Sequence, residues 1–247
     1  MRWLVLVALL GCRHAPPTSD CAGATLIVTA MDNEMDPILV KTQASGLVGD
    51  RFVCGSFAGR KVLLAIIGVG PTLARQSTES LLAHRDVAAI VMVGIAGGLD
   101  RALRVGDVTV PRRWARHDAV AAQWLDVDPA LLARARARTA PPLETCSDPA
   151  ACDPVAKLAI GGSGVTGTQF VADPGRGAEL VQRLDADVVD METAEVAAVA
   201  ARHHVPFIAI RAVSDLVWTG QSRAMISAHD NLAAANAAAE AAELLRD

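Results

Sequence analysis

Short apolar runs recur along the chain and alternate with segments whose apolar residues follow a helical spacing. The runs are apolar at almost every position, which is typical of strands in a mostly parallel sheet that is covered on both faces. We predict strands at residues 24–30, 61–68, 87–94, 187–190 and 206–214. We predict helices at residues 71–85, 192–204 and 223–246.

Two segments lack both kinds of pattern. Residues 113–128 and the proline-rich residues 140–154 are predicted to be irregular, exposed loops. No internal repeat or long low-complexity tract divides the chain. The alternation of strands and helices therefore predicts one α/β sandwich rather than two domains.

Composition narrows the class of protein. A chain of 247 residues that is 52% hydrophobic can bury a full-sized core in a single domain. The formal net charge of −4 is mild and there is no basic stripe, so nucleic acid is not an expected partner. No histidine cluster or cysteine spacing matches a metal site, so neither a metal nor another cofactor is expected.

The first residues, MRWLVLVALLGC, form a separate unit. One positive charge at Arg2 precedes an apolar run that is too short to cross a membrane as a mature helix, which is typical of a signal peptide. The ending LLGC resembles the bacterial lipoprotein box, in which the cysteine, here Cys12, is lipidated and becomes the new N-terminus. The alternatives are a plain secretory signal or a buried first strand, and the polar RHAPPTSD that follows favours a tether over a strand.

We therefore predict that residues 1–23 are a signal peptide and tether, followed by one domain at residues 24–247. The protein would be exported and lipid-anchored to a bacterial membrane, facing the periplasm or the cell exterior. Only the N-terminal lipid would contact the membrane.

Cysteine usage agrees with export. Apart from Cys12, the chain has four cysteines, an even number that suits an oxidising compartment. Cys146 and Cys152 bracket a turn-prone segment that a disulfide could close. Cys21 and Cys54 would then form the second pair.

Acidic residues follow the ends of several predicted strands. Glu34 follows the first strand, Glu192 follows the strand at 187–190, and Asp215 follows the last strand. The glycine-rich residues 94–98 follow the strand at 87–94. Because ligands of open α/β sheets bind beyond the carboxyl ends of the strands, we predict that these groups share one rim and form a site.

Other features of these junctions have simpler interpretations. Asp190 is expected to cap the following helix and Glu195 to lie in its first turn, where acids are favoured by the exposed N–H groups. Residues 94–98 match neither a dinucleotide fingerprint nor a phosphate loop, and a tight turn from strand to helix is the simpler interpretation.

Three separated segments, VVDMETAEVAAVA, VGIAGGLDRALRVGDVTV and PFIAIRAVSD, resemble the nucleoside phosphorylase superfamily. The similarity covers about residues 25–216 and is greatest to the methylthioadenosine/S-adenosylhomocysteine nucleosidases. The resemblance implies a single-domain, three-layer α/β/α sandwich with a central mixed, mostly parallel sheet. It also implies a homodimer.

The resemblance implies roles for the acids. Glu34 would be the base that activates water, and Asp215 would be the acid that protonates the purine. Glu192 would bind the ribose hydroxyls, and Met191 would pack against the nucleoside.

The resemblance also implies further substrate contacts. Phe170 would stack on the purine, and the backbone of Val171 would contact it. Gly97 would line the ribosyl site, and Arg211 would lie near Asp215.

These residues predict a purine nucleosidase that hydrolyses the N-glycosidic bond of a nucleoside like 5′-methylthioadenosine or S-adenosylhomocysteine. One alternative is phosphorolysis, which needs cations around phosphate, and Arg75 is the nearby candidate. The other is a lipid-anchored protein that binds or stores nucleosides without turnover. A pure binding protein has no need of both a base and an acid, which favours the enzyme.

Overall fold

The computed structural model describes residues 21–48 and 52–246, which form one twelve-stranded sheet with six α-helices. The strands are β1 (Ala24–Thr29), β2 (Gln43–Val48), β3 (Phe52–Phe57), β4 (Arg60–Ile66), β5 (Val87–Gly98), β6 (Val108–Val110), β7 (Arg113–Arg116), β8 (Leu125–Asp126), β9 (Leu158–Ile160), β10 (Ser163–Thr166), β11 (Val188–Asp190) and β12 (Phe207–Leu216). The helices are α1 (Asp32–Leu39), α2 (Pro71–His84), α3 (Pro129–Ala137), α4 (Pro174–Leu184), α5 (Thr193–Arg202) and α6 (Ser222–Leu245). The predicted signal peptide and Cys12 lie outside the described residues.

Strand β5 organises the sheet. On one side, its first half runs parallel to β1, with Met92 opposite Val28, and its end pairs with antiparallel β11 at Gly97 and Gly98. On the other side, β12 runs parallel to β5 over its whole length. The stretch of β5 between Met92 and Gly97 therefore has no strand partner on the side of β1 and β11, and this gap lies at the carboxyl end of β1.

The remaining strands extend the sheet outward. The order along the main path is β2-β3-β4-β1-β5-β11-β10-β7-β8, and β6 and β9 continue from β12. Pairing is parallel at the centre, among β4, β1, β5 and β12, and antiparallel at margins such as β2–β3 and β7–β8. The sheet is therefore mixed with a parallel centre, as expected.

Four of the six described helices form two contacting pairs. Helices α1 and α6 contact each other and β5, and α6 also covers β12. Helices α2 and α5 contact each other, and α5 also contacts β7, β10 and β12. The buried face of α6 includes Ala233, Ala237 and Ala241, whose small side chains let the helix lie close to the strands. No helix in the described part of the chain is long and apolar enough to cross a membrane.

The predicted elements agree with the structure to within a few residues at most ends. The five predicted strands correspond to β1, β4, β5, β11 and β12, and the three predicted helices to α2, α5 and α6. The main difference in length is β5, which continues to Gly98 instead of ending at residue 94. The other elements carried no distinct pattern in the sequence analysis.

The prediction of an irregular, exposed loop at residues 113–128 is wrong. This segment contains β7 and β8, and Trp114 and Ala115 are fully buried because β7 pairs with β10. Residues 140–154 contain no helix or strand, as predicted, but Ala151 and Cys152 are buried rather than exposed.

Both predicted disulfides are present. Cys21 pairs with Cys54 across 33 residues, and Cys146 pairs with Cys152 across six. The first ties the residues before β1 to β3, and the second closes the irregular segment. Cross-links of this kind limit the freedom of the unfolded chain.

Candidate functional site

A cavity of about 220 Å³ opens at the edge of the sheet where β1, β5 and β12 end. The predicted site residues that line it are Glu34, Gly97, Phe170, Met191, Glu192 and Asp215. The remaining wall consists of Ala30, Met31, Val69, Ile95, Ala96, Val189, Asp190, Ser214 and Ile226. The structure thus brings together the three acids that the sequence places after separate strands.

Glu34 fills the gap beside β5. This side chain, which is 1% exposed, lies in the first turn of α1. Its Oε1 accepts a hydrogen bond from the Ile95 amide at 2.9 Å, and Oε2 accepts from the amides of Ala30 at 2.8 Å and Met31 at 3.0 Å. The carboxylate thus replaces the missing strand partner of Ile95. A carboxylate offers about four acceptor positions, so one remains for a ligand or water.

The pKa of Glu34 is raised above its ordinary value. Burial is the largest cause, and the Arg211 guanidinium together with the three backbone amides opposes it. A carboxylate with a raised pKa is a stronger base once it is ionised.

Gly94 leaves the room that this arrangement needs. A Cβ on Gly94 would collide with Oε1 of Glu34 and with Nη1 of Arg211, which are themselves 3.6 Å apart. The interpretation of residues 94–98 as a tight turn from strand to helix is wrong, because all five residues continue β5. The glycine at 94 provides space for a buried ion pair, and no turn is formed there.

Arg211 lies beneath the cavity wall, although the resemblance implied that it contacts substrate. Its side chain is fully buried and does not line the cavity. Its Nη2 pairs with Oδ2 of Asp190 at 2.7 Å and lies 3.6 Å from Oε2 of Glu192. Nε and Nη2 also donate to the Thr193 hydroxyl. One buried cation therefore offsets the repulsion among three carboxylates, those of Glu34, Asp190 and Glu192.

Asp190 lies two residues before Glu192, which occupies the N-cap position of α5, and its carboxylate accepts from the first residue of that helix. Its carboxylate accepts hydrogen bonds from the Thr193 amide at 3.3 Å and from the Thr193 hydroxyl. The same carboxylate forms the shortest ion pair of Arg211. Glu195 is structural, since it pairs with Arg116 at 2.6 Å.

Glu192 lies where β11 passes into α5 and is 5% exposed. Its Oε1 accepts a hydrogen bond from the Gly70 amide at 2.7 Å. Gly70 has a φ of 95°, a left-handed value that favours glycine, and it directly precedes α2. Burial, followed by the charge of Asp190, raises the pKa of Glu192 to about 7, and Arg211 opposes this shift.

Asp215 lies in β12 opposite Gly97 and is fully buried. Its Oδ1 accepts a hydrogen bond from the Ser214 hydroxyl at 2.9 Å, whereas Oδ2 has no hydrogen-bond partner among the described residues. Burial raises the pKa of Asp215, and the Ser222 and Ser214 hydroxyls oppose this shift. This environment favours the protonated form, which can donate a hydrogen bond or a proton.

Phe170 and Met191 supply an apolar part of the wall. Val171 does not line the main cavity, but it lines a small adjoining pocket of about 20 Å³ together with these two residues. The guanidinium of Arg223, at the start of α6, lies 5.5 Å from the centre of the Phe170 ring. Helix α6 thus approaches the segment that the resemblance assigns to the purine.

The sequence analysis did not identify several residues that complete the site, namely Met31, Gly70, Thr193, Ser214, Ser222 and Ile226. The segment GVGP before α2 does indicate a turn, but its hydrogen bond to Glu192 depends on tertiary contact. The residues from α6 belong to a helix that carries no chemical motif.

No lysine or arginine lies among the described residues that line the cavity. Arg75, the candidate for phosphate binding, is exposed on α2 and is not part of the wall. Within residues 21–48 and 52–246, no group of three or more histidine, cysteine and acidic side chains could hold a metal ion.

The sequence profile of the phosphorylase superfamily matches residues 24–246. The chain belongs to this superfamily. Among phosphorylase-superfamily relatives, the 5′-methylthioadenosine/S-adenosylhomocysteine nucleosidase of Bacillus thuringiensis (strain Al Hakam) is 30% identical over 207 residues. This match covers 77% of the chain and 84% of the relative.

Solved structures of superfamily members are also similar. The nucleosidase of the same name from Neisseria meningitidis, in complex with methylthio-immucillin-A, has a TM-score of 0.75 and 25% identity, covering 90% of this chain and 98% of the other. Futalosine hydrolase of Helicobacter pylori strain 26695 has a TM-score of 0.76 and 22% identity, covering 91% and 97%. The second match supports the fold alone. The predicted family and fold class are confirmed.

Proposed function

We propose that this protein is a purine nucleosidase that hydrolyses the N-glycosidic bond of a 5′-substituted adenosine like 5′-methylthioadenosine or S-adenosylhomocysteine. The products are adenine and the ribose derivative. The observation that carries the proposal is the arrangement of Glu34, Glu192 and Asp215 around one cavity. The reaction class follows the nucleosidases that this chain is similar to.

In this reaction the oxygen of a water attacks C1′ of the sugar while the bond from C1′ to the base nitrogen breaks. Glu34 takes a proton from the water through its remaining acceptor position, and the electron pair of the broken bond goes to the purine. Asp215 gives its proton to N7 of the departing base, which neutralises the leaving group. Each such proton transfer contributes on the order of 10² to 10⁴ in rate.

Glu192 holds the ribose. One of its oxygens is oriented by the Gly70 amide, and the carboxylate keeps acceptor capacity for the sugar hydroxyls. Hydrogen bonds from hydroxyls to an ionised carboxylate are stronger than those between neutral groups. The apolar side chains of Met31, Val69 and Ile226 suit a thioether substituent on the sugar.

Hydrolysis is favoured over phosphorolysis by the charge of the cavity. A phosphate needs cationic partners. The described wall contains carboxylates and no lysine or arginine, and the nearby Arg211 is buried among three carboxylates. Phosphate in such a site would be repelled.

The test is a panel of purine nucleosides and 5′-substituted adenosines, incubated with the purified protein with and without inorganic phosphate. We expect free adenine and free sugar, with no phosphate dependence. A sugar 1-phosphate as product would establish phosphorolysis. Binding of nucleosides without release of base, from protein whose fold is verified by circular dichroism, would establish the binding protein instead.

We further propose export and lipid anchoring through Cys12, with a homodimer as the assembled form. Two disulfides suit an oxidising compartment, and LLGC resembles the lipoprotein box. Mass spectrometry of the mature protein should find a lipidated N-terminal Cys12. Light scattering should give twice the mass of one chain, and a monomer would reject the homodimer.

A further inference from the structure

Three neighbouring parallel strands, β7, β10 and β11, end side by side. Arg116 at the end of β7 is opposite Thr166 at the end of β10, and Thr166 is opposite Asp190 at the end of β11. Residues 167–173 follow β10, and Glu192 follows β11. The segments that the resemblance assigns to the purine and to the ribose therefore leave the sheet next to each other.

We call residues 168–172 the base segment, because Phe170 lines the cavity and Val171 lines the small pocket that adjoins it. The base segment contains no helix or strand, and Thr168 is exposed. The Thr168 amide donates to Oδ2 of Asp118 at 3.0 Å, and the Thr168 hydroxyl donates to the same oxygen at 3.1 Å. Within the part of the chain that the structure describes, these are the only hydrogen bonds of the base segment.

The residue before the base segment is fixed by the sheet and by a side chain. The Gly167 amide donates to the carbonyl of Asp190 at 3.0 Å, which continues the pairing of β10 with β11. A Cβ on Gly167 would collide with the ring of His117. The chain is thus held as far as Gly167, and the next residue, Thr168, is the one that Asp118 holds.

Asp118 is itself oriented by Arg116. The Arg116 guanidinium donates from Nε to Oδ1 of Asp118 at 2.8 Å and from Nη2 to Oδ2 at 2.7 Å. Two parallel bonds of this kind fix the plane of a carboxylate. Burial acts to raise the pKa of Asp118, but the bonds and charge of Arg116 and the bonds from Thr168 outweigh it and lower that pKa to about 2. Asp118 is therefore ionised at neutral pH.

The same arginine reaches the helix that begins at the ribose residue. Nη1 of Arg116 pairs with Oε1 of Glu195 at 2.6 Å. Glu195 is the third residue of α5, and its amide donates to the carbonyl of Glu192, the N-cap residue, at 3.0 Å. One guanidinium thus connects the support of the base segment with the start of α5.

The exposure of this network indicates what it does. The side chains of Arg116, Asp118 and Glu195 are 26%, 26% and 18% exposed. Ion pairs that water reaches contribute little to the stability of a fold. The paired bonds do fix a direction, however, because the carboxylate of Asp118 cannot turn without breaking one of them. The network is therefore better suited to orienting the base segment than to stabilising the protein.

We propose that Asp118 is a positioning residue that fixes the base segment, so that the ring of Phe170 meets the purine. Arg116 orients Asp118 and joins it to α5, at whose start Glu192 holds the ribose. Asp118 does not line the cavity and acts only through the base segment. The proposal rests on the nucleosidase function proposed above and extends it to residues outside the cavity wall.

Asp118→Ala removes the acceptor of both bonds from Thr168. We expect the KM for 5′-methylthioadenosine to rise about tenfold, within the range that stacking of a base on an aromatic ring contributes. The kcat should fall less than threefold, because stacking binds the ground state and the transition state alike. Asp153→Ala is the matched control and should change neither value, since Asp153 is 33% exposed, pairs with Lys157 and Arg104, and does not line the cavity.

The two products separate binding of the base from binding of the ribose. Calorimetric titration with adenine should give an affinity about tenfold lower for Asp118→Ala than for the parent protein. The affinity for 5-methylthioribose, which lacks a base, should change less than about threefold. Equal losses for both products would mean that the variant loosens the whole site, and would overturn the positioning role.

Variants of Thr168 test the same contact from the other side. Thr168→Ser keeps both donors to Asp118 and should retain the KM of the parent protein. Thr168→Val has a similar shape but loses the hydroxyl donor, and it should raise the KM about threefold. Because this position is exposed, the pair decides the matter even if circular dichroism shows that Asp118→Ala does not fold. Equal KM values for the two variants would overturn the proposal.

Amide hydrogen exchange tests the base segment without substrate. A peptide covering residues 167–172 should exchange faster in Asp118→Ala than in the parent protein, whereas a peptide covering residues 62–66 of β4 should not change. Unchanged exchange at residues 167–172, or an unchanged KM, would overturn the proposal. If the parent protein hydrolyses no nucleoside, the nucleosidase proposal fails by itself, and exchange together with adenine binding still decides the role of Asp118. A parent protein that binds no adenine would reject both.

Discussion

The carboxyl group of Asp215 combines full burial with one oxygen, Oδ2, that has no hydrogen-bond partner among the described residues. Both features favour the protonated acid. We expect Asp215→Asn to abolish turnover of adenosine derivatives while changing ligand affinity less than about tenfold, because the proton matters mainly as the base departs. A nitrophenyl riboside, whose leaving group needs no proton, should be affected much less. Steady-state rates on the two substrates measure this, and equal losses would make Asp215 structural.

Ser222 adjusts the acidity of Asp215 from the first turn of α6. Its hydroxyl is fully buried, has no hydrogen-bond partner among the described residues and opposes the rise of the Asp215 pKa, so Ser222→Ala should raise that pKa further. The alkaline limb of the kcat profile should therefore move to higher pH. The exposed Ser227 on the same helix provides the control, as Ser227→Ala should leave the profile in place. An unmoved profile in Ser222→Ala would contradict this role.

At Gly94 a single methyl group would disrupt a buried ion pair. Gly94→Ala would place Cβ against both Glu34 and Arg211, so we expect a loss of about 1–3 kcal/mol in unfolding free energy and a large loss of kcat. Denaturant unfolding and assays on the same preparation check this. Gly175→Ala, at an exposed position of α4, is the matched control and should be nearly neutral. A stable, active Gly94→Ala would show that the ion pair can rearrange.

At the level of elements, α6 both supplies residues to the cavity and carries a buried acid far from it. Glu240 is fully buried, neither of its carboxylate oxygens has a hydrogen-bond partner among the described residues, and burial raises its pKa to about 7. The native state therefore binds a proton more tightly than the unfolded state. The resulting stability is fully present below about pH 4.5 and is lost as the pH rises through about 7.

We expect Glu240→Gln to remove this dependence. The variant should unfold like the parent at pH 4.5 and be more stable by about 1–2 kcal/mol at pH 8, a rise of roughly 4 °C in Tm. Thermal unfolding at the two pH values measures the difference. Asp36→Asn, at an exposed position of α1, is the control and should show no such gain. A gain of equal size at both pH values would indicate a packing effect instead.

Strand β5 is longer than the apolar run that predicts it. Its apolar run ends at Gly94, yet the strand continues through four more residues, because β12 pairs with it as far as Gly98. The glycine-rich end forms a wall of the cavity because, apart from the short pairing with β11, its backbone pairs with another strand on one side only. Glu34 occupies the position beside Ile95 where no strand pairs with β5.

At the scale of the whole molecule, the parallel centre of the sheet separates two different ends. The carboxylates of Glu34, Glu192 and Asp215 collect where the strands end, whereas Lys61 and Arg85 lie where strands begin. The formal net charge of −4 does not reveal this difference, because it adds the charges without regard to where they lie in the fold.

The sequence by itself determined the features that depend on local pattern. Uniformly apolar runs identify the central strands, because a strand covered on both faces must be apolar at every position. The order of those strands with acids after them predicts that Glu34, Glu192 and Asp215 share one edge. Both disulfide pairs were also predicted correctly, since four cysteines with one short spacing leave few alternatives.

Only the tertiary structure decided which partners each buried group has. The resemblance implied that Arg211 contacts substrate, yet the gap beside β5 and the missing Cβ of Gly94 place it beneath the wall. Trp114 lies in a polar segment and is buried because β10 comes to pair with it. A sequence pattern records what a segment buries, whereas hydrogen-bond and ion-pair partners come from distant segments that meet only in the fold.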